Sequence, residues 1–156
     1  MRKNNSKARL IFTVFLTALL YGCRGSMMDI RTPPFVISEP EYRDGTEDES
    51  CIFGGVYFDF YNWAESRVVY LEIRMNVYDR KTRKSAFPGC GTIKSGNSVL
   101  IESGEKRQMC IPLDEYINQM GEGGYLIDQF YVSRIDYEDG RVWIDELGMY
   151  ALSGRE

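Results

Sequence analysis

From residue 51 onward, apolar and polar positions alternate. In Val56-Tyr57-Phe58-Asp59-Phe60, the side chains of Val56, Phe58 and Phe60 share one face. A longer run follows, in which Val69, Leu71, Ile73, Met75 and Val77 alternate with Tyr70, Glu72, Arg74, Asn76 and Tyr78. A period of two is that of half-buried strands. Residues 62–66 connect these two strands, 79–84 form a basic turn, and Phe87-Pro88-Gly89 breaks the chain again. Residues 98–102 and 106–111 read as a hairpin around Ser103-Gly104-Glu105. The period then changes. Leu113, Tyr116, Ile117 and Met120 take helical spacing after Pro112, with Asp114 and Glu115 in the first turn and Gly121 as the stop. At about two turns this helix needs tertiary support, so it is expected to plug one end of a sandwich. Residues 125–137 form a strand bulged near Ser133-Arg134, Asp139-Gly140 a tight turn, and 141–145 the last strand.

Many short strands with turns about every ten residues predict an all-β fold. The expected architecture is an antiparallel immunoglobulin-like β-sandwich over residues 51–152, with one short helix near 113–120 and a frayed tail at 153–156. Eleven tyrosines, within an aromatic share of 13%, tilt the class the same way, because such rings suit pleated surfaces. The order Cys51…Trp63…Cys110 mimics the immunoglobulin signature. It carries no weight, because Trp63 falls in a connection and Gln108 stands where the corner tyrosine belongs.

The amino end has a different pattern. Arg2, Lys3, Lys7 and Arg9 precede an uncharged, mostly apolar run at 10–20, too short to cross a bilayer. That order is a secretory signal, assigned to residues 1–22. Leu20-Tyr21-Gly22-Cys23 resembles the lipobox of bacterial lipoproteins. The resemblance implies that Cys23 is diacylated on sulfur, becomes the first mature residue and is acylated on its amine. It implies an exported protein, lipid-anchored to the bacterial cell membrane or the outer membrane. Residues 23–50, with Pro33, Pro34, Pro40 and an acidic run at 44–49, read as a flexible acidic tether reaching roughly 30 Å. Phe35-Val36-Ile37 is the exception and fits an edge strand beside the prolines.

Two internal stretches carry further resemblances. Arg74-Met75-Asn76-Val77-Tyr78-Asp79, with Ser103-Gly104-Glu105 downstream, resembles the strand and turn of small bacterial FxLYD-type sandwich domains. The segment Ile135-Asp136-Tyr137-Glu138-Asp139-Gly140-Arg141-Val142-Trp143 resembles the closing hairpin of small exported lipoproteins. Both patterns are structural, so they imply a fold rather than an activity.

Charge narrows the partners. Loss of the signal takes Lys+Arg from 19 to 15 against 23 Asp+Glu, a net charge of −8. Such a body is repelled by phosphate backbones and anionic headgroups. Nucleic acid is therefore not an expected partner, and membrane contact is expected through lipid on Cys23.

The chemistry expected of the chain is sparse. It has no histidine, which removes histidine-based triads and zinc sites. Cys51, Cys90 and Cys110 lack the paired spacing of zinc knuckles and redox motifs. Three exported cysteines cannot all pair in one chain; Cys90–Cys110 is the expected disulfide, with Cys51–Cys110 left open. The run Gly91-Thr92-Ile93-Lys94-Ser95-Gly96-Asn97-Ser98 nearly spells a phosphate-binding loop, but Asn97 stands where lysine is required, so a glycine-rich turn is expected. The acidic run starting at Asp44 has Glu49 where a calcium loop needs glycine. Asp136, Glu138, Asp139 and Asp145 near Trp143 read as a solvated rim rather than a glycosidase pair. No enzyme activity, cofactor or metal site is expected.

Tyr57, Tyr61, Tyr70 and Tyr78 remain. They fall on or beside the polar faces of the first two strands. If those strands pair, the rings form an exposed strip suited to protein or sugar recognition. Otherwise they pack over one another and over arginine stems such as those of Arg67 and Arg74. The expected function is a non-catalytic protein-binding or envelope-structural module, with carbohydrate binding through surface Tyr and Trp as the alternative.

Overall fold

The structure is a computed structural model that describes residues 32–45, 51–52, 54–87, 91–117 and 123–153. The described strands are β1 (Phe35–Ile37), β2 (Glu41–Arg43), β3 (Gly55–Asn62), β4 (Val68–Asp79), β5 (Thr92–Ile101), β6 (Lys106–Pro112), β7 (Tyr125–Tyr137) and β8 (Val142–Ile144). They make two antiparallel sheets. In the first, β3 is flanked by β6 on one side and shares its other side between β1 and β2. The second runs β5-β4-β7-β8. The chain passes between sheets after β3, after β5 and after β6, as immunoglobulin-like sandwiches do.

The period-two faces meet in the middle. Val56, Phe58 and Phe60 of β3 are buried, as are Leu71, Ile73, Met75 and Val77 of β4 and Ile127, Phe130, Val132 and Ile135 of β7. Phe58 and Phe130 meet edge to face across the sandwich, centroids 4.9 Å apart. Each such side chain contributes roughly 1.5–3 kcal/mol through burial, before chain entropy is counted against it. A register shift between Val68 and Tyr70 gives Val68 the inward position that simple alternation assigns to Val69. The expected bulge in β7 falls at Ser133, between the pairs Glu72–Arg134 and Ile73–Val132.

Several expectations change. The sandwich begins well before residue 51: one compact unit starts at Pro33, and β1 and β2, both within the expected tether, belong to the body. β1 is the expected edge strand. Its Phe35 is buried, stacked at 5.6 Å on Phe60 and edge-on at 4.9 Å to Trp143. The expected helix is described only as far as Ile117. Leu113 to Ile117 make a single turn, in which the Tyr116 and Ile117 amides donate to the Leu113 carbonyl, and 118–120 lie outside the described residues. The glycine-rich run at 91–98 is not a turn but most of β5, an extended strand paired with β4. The turn at 102–105 is where expected, yet β5 and β6 go to different sheets rather than forming a paired hairpin.

Asn62 holds that crossing together. It is fully buried at the end of β3. Its Nδ2 donates toward the carbonyls of Ser66, Ile101 and Glu102 at 3.0, 3.1 and 3.1 Å, and its Oδ1 accepts from the Ala64 amide at 3.0 Å. One side chain thus ties both crossings at that end of the sandwich.

Candidate functional site

The four tyrosines do not form one strip. β3 and β4 lie in different sheets, so Tyr57 and Tyr61 face outward from one sheet while Tyr70 and Tyr78 face outward from the other. Tyr57 is buried, with the Arg43 guanidinium 4.6 Å over its ring. Tyr61 is half-buried and meets the exposed Trp63 edge to face at 5.5 Å. The Arg134 guanidinium sits 6.0 Å from the Tyr70 ring centroid. Packing against arginines therefore does occur at Tyr57 and Tyr70, though with Arg43 and Arg134 rather than Arg67 and Arg74.

The outer face of β5-β4-β7-β8 is the more organised surface. Residues opposite one another in adjacent antiparallel strands share a face. One row reads Ser98, Tyr70, Asp136, Val142; the next reads Gly96, Glu72, Arg134, Ile144. Gly96 has a local reason: a Cβ there would overlap the Tyr70 hydroxyl, so the ring lies across the bare backbone. Glu72 is buried among polar partners. It accepts from the Ser133 hydroxyl at 2.6 Å and from Lys94 Nζ at 2.9 Å, with the Arg74 guanidinium at 3.6 Å. Burial alone would push its carboxyl up, but the Ser133 hydroxyl, Lys94 and Arg74 outweigh that and hold it below the ordinary carboxylate range. Arg134 is held by Asp136 at 2.6 Å, which raises its pKa further.

Beyond this polar network the sheet ends in apolar residues. Val142, Ile144, Leu147 and Met149 are all exposed, Leu147 to 87%. The turn that carries the last two is fixed by the buried Asp145, whose carboxylate accepts from the Met149 and Tyr150 amides at 3.0 and 3.1 Å. These four residues were not singled out from the sequence. Val142 and Ile144 alternate around Trp143, but β-periodicity does not say which face a neighbouring sheet covers. The remaining carboxylates near Trp143 are engaged as well: Glu138 with Arg67 at 3.1 Å and Asp139 with Arg141 at 2.8 Å.

A separate cleft of about 460 Å³ is lined by Glu39, Glu41, Tyr42, Arg80, Tyr125 and Ser153, among others. Tyr42 and Tyr125 meet edge to face there at 5.3 Å, and burial pushes the Tyr42 hydroxyl up to about 12. Among the described residues no three Cys, Asp or Glu side chains converge on a metal-sized site. Cys23 and Cys90 lie outside the described residues. Cys110 is on β6, and its sulfur is 3.9 Å from that of Cys51.

The fold is similar to that of a hypothetical protein from Peptoclostridium difficile 630, with a TM-score of 0.53 and 12% identity, over 74% of this chain and 88% of that one. At that identity the likeness concerns the fold alone. No protein-family model and no curated protein matches the chain.

Proposed function

We propose that this chain is an exported lipoprotein, anchored through lipid on Cys23, whose sandwich is a non-catalytic module that binds a protein at the β8 edge. The observation that carries the binding reading is a run of exposed apolar residues on and just after the edge strand: Val142 and Ile144 on β8, paired with Asp136 and Arg134, and Leu147 and Met149 in the turn that follows. Exposed apolar groups rimmed by polar ones mark protein contacts, and Tyr, Met and Arg are enriched at such surfaces. The anchor reading draws on the lipobox-like Leu20-Tyr21-Gly22-Cys23. Two or three acyl chains, at about 0.8 kcal/mol per buried methylene, hold a body of net charge −8 at a surface that would otherwise repel it.

The test uses cells making the full chain. Cys23→Ala abolishes palmitate incorporation. A photo-reactive residue at Leu147 gives one discrete protein adduct in native membranes, which Ile144→Glu removes; the same residue at Val36, on the other sheet, does not give it. Equal adducts from both positions, or none, overturn the binding reading. Palmitate on Cys23→Ala overturns the anchor.

A second reading, carbohydrate binding, draws on Trp63, which is 65% exposed and braced edge to face by Tyr61. It requires glycan binding that Trp63→Ala abolishes.

A further inference from the structure

We propose that Cys51 and Cys110 are an oxidisable pair that closes into a disulfide, stapling the segment ahead of β3 onto β6. The Sγ atoms stand 3.9 Å apart, so side-chain rotation over about 2 Å brings them to bonding distance. The site is shaped for two sulfurs. Cys110 projects from the outer face of its sheet, opposite Tyr57 in the register. Gly55, two residues away on the same strand as Tyr57, offers no side chain there. A Cβ at Gly55 would stand 2.8 Å from Cys110 Sγ and 3.2 Å from Cys51 Sγ. The backbone of Gly55 is not left-handed, unlike Gly54 at φ +109°, so at Gly55 the constraint is space rather than conformation. A second latch holds the segment in place: the Ile52 amide donates to Asp114 Oδ2 at 2.9 Å.

The two thiols differ in access. Cys51 is buried and Cys110 is half-buried. With a disulfide-bearing oxidant, such as oxidised glutathione or an exported thiol oxidoreductase, the step balances. The Cys110 thiol loses its proton and attacks one oxidant sulfur, breaking the oxidant's S–S bond and expelling one thiolate. The Cys51 thiolate then attacks Cys110 Sγ in the mixed disulfide and expels the second. Two electrons pass to the oxidant, and the two protons leave with its thiols. The resulting bond closes a loop over the 59-residue separation, which takes in β3, β4 and β5.

The pairing follows from local geometry and does not depend on the proposed anchor. It competes directly with a Cys90–Cys110 bond. Trypsin leaves Cys51, Cys90 and Cys110 in separate peptides, 44–67, 85–94 and 108–134, apart from Cys23 in 10–24, so mass spectrometry reads the linkage without ambiguity. The purified full chain, equilibrated with oxidised glutathione, alkylated and digested, yields 44–67 joined to 108–134. Cys90→Ser retains that link, and reduction lowers the melting temperature by roughly 10 °C. A link through 85–94 in the wild type, or full alkylation of both Cys51 and Cys110 after oxidation in either protein, overturns the proposal.

Discussion

Asn62 and Glu72 are polar residues that the fold uses from inside. Asn62→Ala would leave the Ala64 amide and the carbonyls of Ser66, Ile101 and Glu102 short of their partner where two crossings meet. We expect a loss of about 2–3 kcal/mol in urea denaturation. A loss under about 0.5 kcal/mol would mean the clip is dispensable. Glu72 makes a prediction about pH. Its folded carboxyl titrates below its ordinary value of 4.5. The carboxylate therefore contributes stability that is complete above that value and is lost as pH falls through the lower, folded one. As pH falls from above 4.5 through the lower, folded value, the wild type loses more stability than Glu72→Gln. Parallel stability curves would show that Lys94 and Ser133 do not favour the charged form. In the sequence Asn62 was only the start of a connection and Glu72 one polar position among five, because partners 39 and 61 residues away leave no trace in a local pattern.

At the scale of elements, period two located β3, β4, β7 and the turn between β7 and β8. It failed where a strand carries a single apolar residue or its outer face is bare. β2 has Tyr42 alone as an apolar residue, so nothing separated it from a tether. In β5, Gly96 and exposed polar residues leave Ile93 and Ile101 as the buried contacts, too far apart to show alternation. The expected helix had a real cause, since Leu113 and Ile117 are both buried one turn apart. A single turn achieves that burial without a helix. β1 is an edge strand that also completes the core, and Phe35→Ala tests this. Removing a ring held between Phe60 and Trp143 lowers stability by about 3–4 kcal/mol in denaturant titration. A change below about 1 kcal/mol would return β1 to the tether.

For the molecule as a whole, the question is which surfaces face what. Alternation assigns each side chain to one of two faces but does not say which strands share a sheet. Sending β3 and β4 to opposite sheets split the tyrosines between two outer surfaces, and placing β8 at the end of the second sheet left Val142 and Ile144 exposed on an edge strand. The crosslinking experiment at Leu147 and Val36 asks about that partition, since it compares the two sheets of one body. The β character, the principal strands and the polar or apolar sense of their faces followed from sequence alone, because they depend on local periodicity and on burying one face of each strand. The sheet assignments, the entry of β1 and β2 into the body, the meeting of Cys51 with Cys110 and the burial of Glu72 were decided only by tertiary structure. Each of these depends on which distant segments pack together, and the free energy of that choice is spread over the whole core.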